Sequence, residues 1–171
     1  MKIAEMLVQN GEKHDDILHM KSGPVNIRLY KSNKKYRSII KSIVDYMKAG
    51  ANIDFEDYPE AQGISGANVG IPFNIVIVVT EDKEEVFLNP VVKDFSLEET
   101  KCTTNCGSVN LDEPIKVWRR RWVEVEYYDL QGEKHCEKFR IGDDKPVASA
   151  TLQHEIEHNL GILIIDKERA E

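Results

Sequence analysis

The 171 residues suffice for one domain with a buried core, and 41% of them are hydrophobic. With 30 acidic and 23 basic residues the formal charge is −7, which argues against nucleic acid or an anionic membrane as the main partner. The three cysteines are too few and odd in number for a disulfide framework, but one can supply a thiolate ligand in a reducing compartment.

The N-terminal segment, residues 1–22, gives no assignable pattern. It lacks the uninterrupted apolar core of a secretion signal, and no part of the chain approaches the roughly 18 apolar residues of a membrane span. His14 and His19 lie in this polar segment, and we expect both to be solvated. We expect a monomeric, single-domain protein of the cytoplasm, with an organelle stroma or matrix as the alternative.

The first clear element is a helix over Tyr36 to Met47, where the apolar residues fall on one helical face before Gly50. The acidic residues 51–61 have no period and predict a loop or insert. Residues 74–79 and 85–92 are rich in β-branched side chains and predict two paired strands. Alternation over 121–130, followed by a Gln-Gly turn and 133–141, predicts a hairpin.

A glycine-rich segment, 63–70, precedes the first predicted strand. It is not a phosphate-binding loop, because no Gly-Lys-Ser/Thr follows and it does not open a helix. One interpretation is a tight connection. The other is that the missing side chain of Gly63 lets a substrate backbone approach, with Asn68 as a hydrogen-bond donor beside it.

The last predicted helix begins near residues 143–144, has Pro146 in its first turn and ends at Gly161. His154 and His158 are four residues apart, so both imidazoles point from one face and can reach a single ion about 2 Å away. The spacing therefore predicts two ligands of a metal site.

Glu155 would lie beside that ion, where a carboxylate can take a proton from a water and deliver it to a leaving group. The alternative is a solvated helix with two surface histidines, which Glu157 and Asn159 would suit. The metal site is favoured because the residues that precede the histidines on the same stripe are small or apolar, namely Val147, Ala150 and Thr151.

A catalytic site needs a third protein ligand, and neither His nor Cys follows His158. In metalloproteases with an elongated motif a third histidine stands six residues later, but that position is Ile164 here. We therefore expect the third ligand upstream. Cys106 is favoured because Asn105 and Gly107 make its backbone flexible. The full set of candidates is Cys102, Cys106, Cys136, His135, His14 and His19.

The glycine-rich segment, the cysteine segment and "QHEIEHNLG" stand in an order that resembles peptide deformylase, from about Gly23 onward. The family's motifs read Gly-hydrophobic-Ala-Ala-x-Gln, Glu-Gly-Cys-Leu-Ser and Gln-His-Glu-x-Asp-His-x-x-Gly, and this chain has "GISGAN", "TNCGS" and "QHEIEHNLG" at those places. The departures from the family pattern are Ser65, Gly66, Asn68, Thr104, Asn105, Gly107 and Glu157.

This resemblance implies an α+β fold in which mixed or antiparallel sheets wrap around the C-terminal metal-binding helix. It implies one divalent ion held by Cys106, His154 and His158, natively Fe²⁺ and replaceable by Ni²⁺, Co²⁺ or Zn²⁺. It also implies removal of the formyl group from N-formyl peptides or nascent-chain N-termini, with release of formate. In that reaction Glu155 is the general base and acid.

The same resemblance assigns the oxyanion donors to the Asn68 amide and the backbone N–H of Gly107, where the family has glutamine and leucine. It assigns the substrate's first side chain to a pocket with altered lining, which suits a smaller or more polar side chain than methionine. Arg119 matches a family arginine whose glutamate partner is Thr104 here, so we expect that pairing to be lost. The altered positions that line the pocket are Gln62, Asn105, Ala150 and Thr151.

Two alternatives stay open. One is a divergent relative with weak or no deformylase activity, acting on another N-acyl substrate or binding a peptide partner. The other is an unrelated metalloprotease that cleaves internal peptide bonds. Restoring glutamine at Asn68 and leucine at Gly107 separates the first alternative from an active deformylase, because a drifted protein would gain much activity.

Overall fold

The computed structural model describes residues 15–50, 62–80, 84–109, 111–142 and 146–167. Its helices are Asp15–Leu18 (α1), Ile27–Ser32 (α2), Lys34–Gly50 (α3) and Pro146–Asn159 (α4). Its strands are Gln62–Ser65 (β1), Ile75–Val79 (β2), Glu84–Phe95 (β3), Glu99–Thr104 (β4), Ile115–Arg120 (β5), Trp122–Tyr128 (β6) and Lys134–Arg140 (β7). The loop predicted at 51–61 and His14 lie outside the described residues.

Five strands form an antiparallel sheet in the order β1-β2-β3-β6-β7, and β4 pairs with β5 in a second sheet. Ile75 pairs with Leu88, and Trp122 pairs with Arg140. The predicted strand pair and the predicted hairpin are therefore confirmed, as is the α+β class with antiparallel sheets and a C-terminal helix. An isolated parallel bridge between Gly23 and Phe73 adds the segment before α2.

The buried side chains of strand β2 show that both faces of the sheet are covered. Successive side chains of a strand point to opposite faces. Ile75 and Ile77 accordingly belong to one core cluster and Val76 and Val78 to another, and all four are buried. The first cluster is covered by α2 and α3, and the second by α4.

Helix α3 contains the predicted helix and is a few residues longer at both ends. Its buried stripe, Ile40, Val44 and Met47, packs against the sheet, and this burial holds the helix in place. None of the helices in the described part of the chain is long and apolar enough to cross a membrane.

Helix α4 is enclosed on several sides. Leu152 and Ile156 pack into the second core cluster, while Glu155 and Asn159 are buried as well. The solvated-helix alternative is therefore wrong. The helix ends at Asn159, and the predicted stop, Gly161, follows two residues later with a φ of +76°. An added Cβ there would lie 2.3 Å from the carbonyl oxygen of His19, so only glycine fits.

The N-terminal segment, which gave no pattern in the sequence, is part of a hydrophobic core cluster through Leu18. Leu18 is fully buried in a third cluster with Cys106, Val117 and Leu163. His19 is largely exposed, as expected, and its Nε2 lies 3.3 Å from a carboxylate oxygen of Asp166.

Candidate metal and catalytic centre

Three potential ligand atoms meet where α4 faces the segment after β4. The Sγ atom of Cys106 lies 3.2 Å from Nε2 of His158, which lies 3.1 Å from Nε2 of His154. All three atoms lie within 4.8 Å of one another, and among the described residues this is the group of His, Cys, Asp or Glu that could hold an ion. Cys102, Cys136 and His135 are not part of it, and His135 instead contacts Asp129.

Different local structures position these three ligands. One helical turn separates His154 from His158, and their rings meet edge to face with centroids 4.6 Å apart. Cys106 lies in a turn after β4 in which its carbonyl accepts from Val109 N–H at 3.1 Å. The Oδ1 atom of Asn105 accepts from the Cys106 N–H at 2.9 Å, which orders the backbone just before the turn.

The electrostatics of this cluster suit a cation. Burial, followed by the charge of Glu155, raises the pKa of Cys106 to about 12, although the N–H groups of Ser108 and Val109 act in the opposite direction. Burial also lowers the pKa of His158 to about 4 and lowers that of His154 well below its usual value. Without a cation the three groups are therefore neutral and poorly solvated at pH 7. A bound cation would stabilise the thiolate form of Cys106 relative to the thiol.

The donor set itself fits a first-row divalent ion. One thiolate and two imidazoles are ligands that Zn²⁺ and Fe²⁺ accept, at about 2.0–2.3 Å from each donor, and ligands sharing an ion at such distances stand close to one another. The Nδ1 atom of His158 is buried with no protein partner. The residues present therefore fit a metal ion that catalysis would use.

Glu155 lies beside the ligands with one oxygen unpaired. It is 4% exposed, its Oε1 lies 3.9 Å from Nε2 of His154, and its Oε2 has no hydrogen-bond partner. Burial raises the pKa of Glu155 to about 8, and the charge of Arg119 only partly offsets this. A buried carboxylate with a raised pKa is suited to exchange protons near neutral pH.

Gly63 is required by the packing of α4 against β1. A Cβ there would lie 2.6 Å from Cγ of Glu155 and 2.6 Å from Cγ2 of Thr151. The space that a side chain at Gly63 would need is thus filled by α4, and this packing requirement is separate from the predicted approach of a substrate backbone. Gly66 supports the interpretation of a tight connection, since its Cβ would lie 2.5 Å from the carbonyl oxygen of Phe73.

Arg119 has a carboxylate partner at a different position from the one expected to be lost at Thr104. Its guanidinium, 2% exposed, forms an ion pair with Glu157 and lies 3.2 Å from Nδ1 of His154 through Nη2. Glu157 also pairs with Lys167. An unpaired buried guanidinium would cost several kcal/mol, so a carboxylate on α4 takes the place of the one missing at Thr104.

Asn68 is held rigidly in the 3₁₀ turn Ala67–Val69 that follows β1. Its Oδ1 accepts from both the N–H and the hydroxyl of Ser65, each at 2.7 Å. Its Nδ2 donates to Oγ of Ser108 at 2.8 Å. All three residues are buried, and they join the glycine-rich segment to the cysteine segment.

The remaining predicted site residues surround these groups without joining the ligand cluster. Gln62, Ala150 and Thr151 are half-buried, whereas Asn105 and Gly107 are exposed. The side chain of Val147 lies outside those that the structure describes.

Two polar residues of α4 have structural roles that the sequence reasoning missed. Gln153 exchanges two hydrogen bonds of 3.0 Å with the backbone of Arg120, accepting its N–H and donating to its carbonyl oxygen. Asn159 donates to Asn74 and to the carbonyl oxygen of Ile75. They tie the helix to β5 and β2. In the sequence, these roles are indicated by a polar side chain on the buried face of an otherwise apolar helix.

Comparisons with known proteins agree with this geometry. The family model described as polypeptide deformylase matches residues 6–171. A peptide deformylase of Pelagibacter ubique is 30% identical over 76% of this chain and 70% of its own length. A crystal structure of the class I type b peptide deformylase of Acinetobacter baumannii with bound Met-Ala-Ser superposes with a TM-score of 0.75 at 28% identity, covering 98% of this chain and 100% of that one. The same enzyme with bound actinonin gives a TM-score of 0.74 at 28% identity, with the same coverage.

Proposed function

The chain belongs to the polypeptide deformylase family, and we propose that Cys106, His154 and His158 hold its catalytic ion. A member of this family is a metal-dependent hydrolase that removes the N-formyl group from nascent peptides and releases formate. The observation that carries the assignment to residues is the buried Cys-His-His cluster with the unpaired carboxylate of Glu155 beside it.

The family implies a single catalytic ion, and we assign Fe²⁺ as the native one, with Zn²⁺, Ni²⁺ or Co²⁺ able to replace it. A mixed sulfur and nitrogen donor set supports this assignment, because it accepts all of these ions. When bound, the ion lowers the pKa of a water and stabilises negative charge on the carbonyl oxygen.

Glu155 carries the proton. We assign its unpaired Oε2 to accept a proton from the attacking water and to deliver it to the departing amine nitrogen as the C–N bond breaks. The products are formate and a peptide with a free N-terminus, so the added water is fully accounted for. Burial raises the pKa of Glu155 to about 8, and the charge of a bound ion would lower it, so that the carboxylate can accept a proton near neutral pH.

The oxyanion donors are the Asn68 amide and the backbone N–H of Gly107. Asn68 Nδ2 carries two N–H groups, of which one bonds to Ser108, and the other is assigned to the substrate oxygen. Gly107 follows the proposed ligand Cys106 directly and is exposed, which supports the assignment of its N–H as the second donor.

Residues around the cluster receive the peptide. Relatives bind Met-Ala-Ser and actinonin, which supports a peptide-like ligand for this chain too. The first residue is methionine or a smaller or more polar residue, because polar or small residues stand where its side chain would lie. The residues assigned to this pocket are Gln62, Gly63, Asn105, Val147, Ala150 and Thr151.

We also propose a cellular location and an oligomeric state for this protein. It acts in the cytoplasm as a monomeric single domain and does not bind nucleic acid directly. The formal charge of −7 supports the last point.

Formate release from formyl-Met-Ala-Ser tests this function, with protein purified without oxygen and its metal content measured. Glu155→Gln should keep the metal and lower kcat by about 10²–10⁴-fold, because the proton carrier is lost. Glu98→Gln, at an exposed carboxylate outside the cluster, is the control and should leave the rate unchanged. Bound metal without formate release would indicate another N-acyl substrate or a binding role, and absence of metal would overturn the ligand set.

A further inference from the structure

We infer that Ser65 is a positioning residue that holds the Asn68 amide in the orientation needed to donate to the substrate oxygen, an inference that rests on the proposed role of Asn68. A primary amide has nearly equal ends, and a half-turn about its last bond exchanges a donor for an acceptor. The wrong end would present a carbonyl oxygen to developing negative charge, which repels it.

Ser65 decides between these two orientations. Both of its donors, the backbone N–H and the hydroxyl, point at Oδ1 of Asn68 at 2.7 Å. The same hydroxyl oxygen lies 3.4 Å from the backbone nitrogen of Asn68 and accepts its N–H, and in the observed orientation the hydroxyl gives its own proton to Oδ1. The backbone N–H of Ser65 can only donate, so it requires an acceptor at this place. A flipped amide would place its NH₂ group against these two donors in a site with no water access, since Ser65 is fully buried.

Ser108 completes the arrangement from the cysteine segment. Its Oγ accepts one N–H of Asn68 at 2.8 Å, and Ser108 stands two residues after the ligand Cys106. The nitrogen of the amide is therefore directed toward the segment that carries the thiolate. Its second N–H is the donor that the reaction uses.

The identity of residue 65 is coupled to that of residue 68. Asparagine is one methylene shorter than glutamine. The hydroxyl of Ser65 lies next to the side-chain carbonyl of Asn68. With alanine at position 65, Oδ1 of Asn68 would keep only the hydrogen bond from the backbone N–H of that position. The energy difference between the two amide orientations would then become smaller. A longer glutamine could no longer make the same pair of contacts while Ser65 remains.

The holoenzyme variant Ser65→Ala tests this coupling. We expect kcat to fall about tenfold to a hundredfold with KM changed less than about twofold, because only the transition-state contact is disturbed. The double variant Ser65→Ala/Asn68→Gln should recover most of the rate. Ser96→Ala is the matched control: this serine is also buried and hydrogen-bonded to backbone groups, but it lies between β3 and β4, outside the site, so kcat should not change.

A second measurement does not depend on activity. The side-chain NH₂ signals of Asn68 in ¹⁵N-labelled protein should show slow hydrogen exchange and two distinct proton shifts, and Ser65→Ala should speed up the exchange. Fast exchange in the unmodified protein, or an unchanged kcat in Ser65→Ala, would overturn the inference. The proposed function fails separately, if the metal-loaded unmodified protein releases no formate while its Asn68 amide is still protected.

Discussion

Helix α4 and the two loop segments that face it have diverged to different degrees. The helix keeps the glutamine, both histidines and the glutamate of the family motif, with Glu157 as its one conservative change. The loops differ at most positions, yet the altered Asn68 is still paired with Ser65 and Ser108, and Arg119 of β5 is paired with Glu157 of α4. Ligand geometry tolerates little change because every ligand must reach one point, whereas oxyanion and second-layer contacts can be rebuilt from other residues.

The largest effect is expected at the ligands. Cys106→Ala should remove the bound metal and lower formate release by at least about a thousandfold, because two imidazoles alone hold the ion weakly. Metal content per protein and the rate on formyl-Met-Ala-Ser measure this. Cys136→Ala, at an exposed cysteine of β7, serves as the control and should keep both. Retention of metal in Cys106→Ala would mean that another residue supplies the third ligand.

The second prediction concerns the rebuilt ion pair. Arg119→Met should lower the free energy of unfolding by about 3 kcal/mol, because it leaves the carboxylate of Glu157 with Lys167 alone. Chemical denaturation of the metal-loaded protein measures the change. Arg121→Met, on an exposed side chain, should change stability by less than about 0.5 kcal/mol. Equal effects of the two variants would show that Arg119 is not a buried structural charge.

Metal uptake should release protons. The Cys106 thiol, with a pKa of about 12, is protonated at pH 7 and must bind as thiolate, whereas the histidines are already neutral there. The ion also lowers the pKa of Glu155, so we expect about one to two protons per ion, and the apparent affinity should rise with pH. Calorimetric Zn²⁺ titrations in buffers of different ionisation enthalpy measure this number. Zero release would contradict a thiolate ligand.

The smallest effect is expected at Gly107. Gly107 is exposed and is not among the glycines with positive φ, so leucine is compatible with its backbone conformation. Gly107→Leu should therefore change kcat by less than about threefold, because the oxyanion donor is a backbone N–H that both residues possess. A gain of a hundredfold or more would instead support the view that the natural chain has drifted away from deformylase chemistry.

Much of this fold could be predicted because it depends on local periodicity. Runs of β-branched residues predicted β2 and β3, alternation and a Gln-Gly turn predicted β6 and β7, and the helical stripe of Ile40, Val44 and Met47 predicted α3. The segment from Asp15 to Leu18 could not be predicted, since Leu18 is buried by contacts with Leu163 and Val117, far away in the chain. The same holds for the β4–β5 pair, whose polar residues alternate weakly.

What the sequence by itself determined is the set of candidate groups for the centre: two histidines one helical turn apart, a carboxylate beside the first, and a cysteine upstream in a flexible segment. What only the tertiary structure decided is how the altered positions are compensated. Arg119 and Glu157 are far apart in sequence, as are Asn68 and Ser108, and nothing local to either member indicates its partner. A buried polar group must be paired somewhere, but the fold decides where, because burial and distance arise only when the sheet and α4 come together.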